Sequence, residues 1–154
     1  MTDTTRYLAP GTATAIFNRA VAALTRAGIS VWGSRVLRVR GRASGQWRST
    51  PVNLLRLGEQ RYLVAPRGHA QWVRNLRVAG EGELVVGRRV ERFTASELAD
   101  PDKPAVLRAY LKRWMFEVGV FFDGVGPDAS DERLLEIAAG YPAFRITPSR
   151  TTPS

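Results

Sequence analysis

Cysteine is absent from the 154 residues, so disulfides, thiolate metal sites and thiol nucleophiles are all excluded. Histidine occurs once, at His69. One imidazole cannot build the multi-histidine site usual for zinc, and no HExxH or clustered-carboxylate pattern replaces it, so a protein-bound catalytic metal is not expected. No stretch reaches the run of about 18 apolar residues that a membrane-spanning helix needs. The N-terminus also lacks a basic segment followed by an apolar run and cleavage site, which makes the cytoplasm the expected compartment. Acidic residues are missing throughout the interval between Asp3 and Glu59, where nine arginines occur. Lysine is nearly missing as well, since 21 of the 23 basic residues are arginine.

What is present is a basic half and a nearly balanced half. Residues 1–92 hold 16 arginines against five acidic residues, whereas residues 93–154 hold seven basic against nine acidic ones. The planar guanidinium binds phosphate or carboxylate in bidentate fashion better than an ammonium does. The basic half is therefore a candidate surface for an anionic ligand, although a GC-rich coding sequence also raises arginine content. A hydrophobic fraction of 44% over this length supports one core and is too little for two, so residues 1–154 are expected to form a single domain.

Residues 1–11 read as a flexible lead. Ala13, Ile16, Phe17, Ala20, Val21 and Leu24 then recur at the spacing of one helical face, with Gly28 as the stop. That helix either lies on a membrane surface with Arg19 and Arg26 among the headgroups or packs over a barrel mouth, and the second is the expectation. Leu37 and Val39 alternate with Arg38 and Arg40, a turn follows over Gly41–Gly45, and Trp47–Leu57 is extended. Pro51 implies an edge position or a bulge. Gly58 makes a hairpin with Tyr62–Ala65, a short helix runs over Ala70–Val78, and strands flank Gly87 at Glu83–Val86 and Arg89–Thr94. Asp100 and Pro101 are read as the cap and first residue of a helix whose apolar face is Val106, Leu107, Tyr110, Leu111 and Trp114. A second helix is expected over Asp131–Ala139 with Ser130 as cap, then a closing strand over Pro142–Thr147, with a disordered tail after Ile146 and flexibility over 148–154. About six mainly antiparallel strands in a meander interrupted by one helix, with about four helices around them, indicate an α+β barrel.

Two segments carry the candidate chemistry. Gly41-Arg42-Ala43-Ser44-Gly45-Gln46-Trp47-Arg48-Ser49-Thr50-Pro51 sets Arg42 and Arg48 on either side of a glycine turn whose N–H groups can approach an anion closely. It is not a P-loop, because no Gly-Lys-Ser/Thr opens a helix. Arg67-Gly68-His69-Ala70-Gln71-Trp72-Val73-Arg74-Asn75-Leu76 leads from a strand end into a helix that shows Trp72 and Asn75 on one face. Trp72 either stacks on a planar ring or fills core, and a buried Asn75 needs a polar partner.

The pattern Gly-Arg-x-Ser/Thr-Gly-x-x-Arg-x-x-Pro, followed by Gly and then Trp-x-x-Asn-Leu, resembles the deazaflavin-dependent nitroreductase family of actinobacteria over residues 34–94. Pro142-Ala143-Phe144-Arg145-Ile146 is similar to that family's last core strand. The resemblance implies a split β-barrel that binds coenzyme F420, an 8-hydroxy-5-deazaflavin whose phosphate and polyglutamate tail are strongly anionic. Carried over by position, Arg42 and Arg48 would hold the phosphate and tail, Thr50 and Pro51 would line the ring, Arg67, Gly68, Trp72 and Asn75 would complete the pocket, and Ser44 and Gly45 would also be cofactor-binding. Ala43 stands where the family often has lysine, which removes one anion contact. The resemblance further implies a homodimer and hydride transfer to a small electron-poor acceptor such as a quinone, a nitro compound or an activated alkene, with no catalytic side chain assigned. Tyr110, Trp114, Met115 and Phe116 either form a wall of the acceptor pocket or are ordinary core, and core is the expectation. Flavin mononucleotide in the same barrel, or an apolar or acyl ligand without catalysis, are the alternatives. Nucleic acid is not expected as a partner, since the strands lack paired aromatics for base stacking and the C-terminal third is not basic.

Overall fold

Short runs of alternating apolar residues punctuated by glycine fold as strands, because period-two patterning buries one face. In the computed structural model, which describes residues 34–86 and 88–149, these runs form β1 (Ser34–Arg40), β2 (Trp47–Leu57), β3 (Gln60–Val64), β4 (Glu81–Val86), β5 (Arg89–Glu97) and β6 (Ala143–Pro148). Every pairing is antiparallel, and the sheet closes in the order β1-β2-β3-β6-β5-β4. Helix α1 (Gln71–Ala79) links β3 to β4, while α2 (Pro104–Val118) and α3 (Asp131–Ile137) lie between β5 and β6. This is the expected α+β split barrel with flanking helices. The expected lead over 1–11, the amphipathic helix over Ala13–Leu24 with its Gly28 stop, and residues 150–154 of the tail lie outside the described residues. Among the described residues no helix is long and apolar enough to cross a membrane.

The barrel departs from a plain meander in that β3 pairs with β6 and β4 closes onto β1, so α1 spans the barrel from one side to the other. Pro51 sits in a strand with neighbours on both sides, but residues 47–53 of β2 pair with β1 alone and residues 54–57 with β3 alone. Locally Pro51 therefore occupies an edge, where a missing donor is tolerated. Asp100 does not cap the α-helix. Asp100–Asp102 forms one 3-10 turn, and α2 begins at the second proline, Pro104, whose fixed φ suits a first helical turn. Ser130 does cap α3, its hydroxyl accepting from the Arg133 N–H at 3.1 Å. The expected disorder after Ile146 is corrected through Ser149: Thr147 and Pro148 pair with Thr94 and Phe93, and the Ser149 N–H donates to Arg92.

Strand alternation sends successive residues to two cores. Leu37, Val39, Leu54, Leu63, Leu84, Phe93, Phe144 and Ile146 fill the lumen, and Val73 and Leu76 of α1 close one end. Their neighbours Leu55, Val64 and Ala143 face outward, where Val106, Leu107, Tyr110, Leu111 and Trp114 of α2 cover them together with Leu134 of α3. Gly82 lies against this lumen with no room for a side chain, since a Cβ there would stand 2.9 Å from both the Arg38 carbonyl oxygen and the Phe93 ring.

Candidate functional site

The β1–β2 loop is held by its own hydrogen bonds. Gly41 N–H donates to the Gln46 carbonyl at 2.8 Å, Gly45 N–H to the Gly41 carbonyl at 2.9 Å, and Gln46 N–H to the Ser44 hydroxyl at 3.1 Å. Arg40 Nη1 donates to the Gly45 carbonyl at 2.9 Å, and Gly45 holds φ at 72°, which glycine adopts without penalty. With these bonds in place, the N–H groups of Ala43 and Ser44 have no acceptor among the described residues. Both residues are exposed, in a loop bracketed by exposed Arg42 and Arg48.

The partner that buried Asn75 requires is the protein itself. Its Oδ1 accepts from the Arg42 backbone N–H at 3.1 Å and from Arg42 Nη1 at 2.8 Å, and the residue is 5% exposed. A helical side chain thus pins the loop to the end of the barrel. Asn75 acts on Arg42 rather than facing a ligand with that oxygen. Arg48, by contrast, makes no hydrogen bond or ion pair among the described residues.

The structure separates other members of the expected set. Thr50 pairs with Leu37 and shares the lumen face with Arg48, whereas Pro51 pairs with Val36 on the opposite face, so the two side chains cannot line one side of a ring together. Trp72 is half-buried against the lumen core, its ring 6.0 Å from that of Phe144 and tilted by 49°. Gly68 is buried with φ at 92°, in a turn where Ala70 N–H donates to its carbonyl at 2.8 Å. Arg67 lies over the Phe121 ring at 5.2 Å, on the side of the outer core. Tyr110 and Trp114, at 2% and 1% exposure, are core as expected and form no open pocket wall; Met115 is exposed.

Two arrangements near the loop went unread in the sequence. Trp47 faces Arg40 across the β1–β2 ladder, and its ring carries the Arg40 guanidinium at 4.5 Å and that of Arg38 at 5.1 Å. The hairpin register alone would have revealed this stack. His69 bridges three elements: Arg77 Nη1 stands 3.1 Å from its Nδ1, and its Nε2 is 3.2 Å from the Ala139 carbonyl. Arginine can only donate, so Nδ1 accepts and Nε2 carries the proton. Arg77 in turn grips Glu97 with two bonds of 2.8 and 2.7 Å, tying α1 to β5.

The profile of the family described as F420H(2)-dependent quinone reductase matches residues 13–117, more than half of the chain. No curated protein sequence matches. Among solved structures, a protein described as a domain-swapped dimer superposes with a TM-score of 0.53 at 16% identity, covering 75% of this chain and 80% of its own. The protein Atu2129 from Agrobacterium tumefaciens gives 0.54 at 12% identity, covering 84% of this chain and 54% of its own. An F420-H2 dependent reductase, FDR-A, gives 0.50 at 16% identity, covering 75% and 94%. At these identities the structural likeness establishes the fold.

Proposed function

The chain belongs to the F420H(2)-dependent quinone reductase family, is an F420-dependent oxidoreductase, and from that premise we propose that the β1–β2 loop holds the cofactor's phosphate while a quinone is the acceptor. One observation carries this placement. A loop held by its own bonds leaves two exposed backbone N–H groups without an acceptor among the described residues beside the exposed, unpaired guanidinium of Arg48, in a stretch of chain without a single carboxylate. This donor set fits a phosphate-bearing polyanion: each charge-assisted bond contributes roughly 1.5–3 kcal/mol, and the loop is already ordered before a ligand arrives.

When bound, reduced coenzyme F420 supplies the hydride from its C5, and the family's description supports a quinone as the acceptor. The chain's own residues bind and orient. Arg48 and the Ala43 and Ser44 N–H groups fix the anionic end, and Asn75 keeps Arg42 beside them. Thr50 shares the Arg48 face and lies further along β2 toward the lumen, the direction a ring would extend from an anchored phosphate. Trp72, half-buried on α1 against Phe144, keeps part of its ring accessible for stacking on a planar ring. No general acid is required of the protein for hydride delivery, which agrees with a site built from arginine, amide and aromatic groups. A homodimer is part of this reading, supported by the domain-swapped dimer among the similar folds.

The test is a fluorescence titration with oxidised coenzyme F420, with Arg48→Ala and Trp72→Ala in parallel. Saturable binding is expected, weakened about tenfold or more by Arg48→Ala, as loss of one charged hydrogen bond implies. Absence of binding at high micromolar cofactor, or an Arg48→Ala protein that binds as well as the parent, overturns the placement.

A further inference from the structure

The two ends of the barrel differ in what they present. One carries the Gly41–Gln46 loop and α1. At the other the chain turns from β2 to β3 at Gly58, with φ at 64°, and from β4 to β5. Register and alternation decide which side chains line this second end. Leu37, Leu54, Leu63 and Phe93 point into the lumen. Arg35, Arg56, Arg61, Arg89 and Glu91 stand an even number of residues from them on the same strands, and so share their face. Arg56 and Arg61 are direct cross-strand partners, an opposition of like charges that by itself destabilises a sheet.

Only one carboxylate answers these cations from within the group, and it is already engaged. Arg61 binds both oxygens of Glu91, one of them at 3.1 Å. The Arg61 hydrogen bond holds the Glu91 carboxyl below the ordinary carboxylate range, and the charges of Arg61, Arg56 and Arg89 add to it. Arg35 also has a lowered pKa: burial lowers it most, the guanidinium groups of Arg56, Arg113 and Arg61 lower it further, and the Glu91 carboxylate opposes them. Exposed Arg56 and Arg89 form no ion pair among the described residues. Arg56 and Arg89 crowd the Arg61–Glu91 pair without an ion pair of their own among the described residues, and a bound anion offsets their mutual repulsion.

We propose that this end of the barrel is a second anion site, taking a phosphate-type oxyanion between Arg56, Arg61 and Arg89. It is separate from the cofactor loop, since Arg48 and Arg56 lie about 27 Å apart along β2 at the usual rise per residue. Arg56 and Arg61 are cross-strand neighbours on β2 and β3, with Arg89 on β5 at the same end, and guanidinium groups so gathered offer the donors that phosphate oxygens accept. The same chemistry is offered by a free phosphate or diphosphate and by the phosphodiester of an anionic lipid headgroup. Leu57 and Val90, 38% and 51% exposed on the outer rim of this end, give a bilayer something apolar to contact.

The experiment uses the full chain carrying Arg48→Ala, so that the loop site does not compete, with and without the pair Arg56→Glu and Arg89→Glu. Pyrophosphate is titrated by calorimetry, and co-sedimentation is measured with phosphatidylglycerol and with phosphatidylcholine vesicles. Saturable binding of pyrophosphate or selective binding of the phosphatidylglycerol vesicles is expected, reduced about tenfold or more by the double charge reversal. Which arm responds identifies the source. Both reversed residues are exposed strand positions, and an unchanged melting profile together with unchanged coenzyme F420 titration in the Arg48-containing protein verifies the fold. The proposal falls if neither probe binds, or if the double variant binds as well as its parent. Because cofactor titration is read separately, loss of the cofactor placement leaves this inference standing, and the reverse also holds.

Discussion

Replacing Asn75 tests whether α1 sets the loop that holds the anion. Asn75→Ala removes a buried acceptor that takes two bonds, one from the Arg42 amide and one from its guanidinium. The amide bond is worth about 0.5–1.5 kcal/mol and the charged one up to about 3, but Arg42 is exposed and recovers water, so a net cost of about 1–2 kcal/mol is expected. For a chain of this length that lowers Tm by roughly 2–8 °C. The functional signature is sharper than the stability one. If Asn75 acts by holding Arg42 at a phosphate, the variant should lose about tenfold or more in affinity for coenzyme F420. It should bind the deazaflavin riboside, which lacks phosphate and tail, as the parent does. Asn75→Asp keeps an acceptor opposite a cation and should restore most of the difference. Equal loss for both ligands would reduce Asn75 to a generic packing role, and unchanged binding with unchanged Tm would refute the reasoning altogether.

Other changes probe the scaffold. Gly82→Ala drives a methyl into the Arg38 carbonyl and the Phe93 ring, and should cost about 1–3 kcal/mol in chemical denaturation; a neutral result would mean that β4 can shift freely. Leu107→Ala empties a fully buried position between α2 and the outer barrel wall, with an expected loss of about 2–5 kcal/mol. Glu91 has a depressed folded pKa, so its pairing with Arg61 stabilises fully above the unfolded value of 4.5 and is lost as pH falls through the folded one. Glu91→Gln should therefore be less stable than the parent at neutral pH by at most about 1 kcal/mol, as its exposure implies. The gap should close on acidification below about pH 4, and equal stability at both pH values would remove the pair from the account.

Local patterns in the chain decided more than the elements alone. The extents of β2 and the α1 helix follow closely from alternation, from 3.6-residue spacing and from glycine at the turns, because each depends on neighbours within a few residues. The α2 face, Val106, Leu107, Tyr110, Leu111 and Trp114, was legible for the same reason. Where two local signals competed, sequence reading chose wrongly: Asp100-Pro101 and Lys103-Pro104 both resemble helix starts, and contacts beyond either dipeptide select the second. Lys103 is buried with its ammonium donating to Asp100 at 2.7 Å and to the Ala138 carbonyl at 3.0 Å, a partner 35 residues away.

Composition and motif order by themselves determined the arginine-rich, carboxylate-free first half, the six-strand barrel and the deazaflavin family, since these rest on residue identity and short spacing. Only the tertiary structure decided which of the named residues work together. Closure of β4 onto β1 and of β3 onto β6 brings Asn75 to Arg42 across 33 positions and gathers Arg35, Arg56, Arg61 and Arg89 at one end. The physical reason is that a side chain's face is set by local pleat, whereas its partner across the barrel is set by register, and register is fixed only when the sheet closes and its two cores are filled.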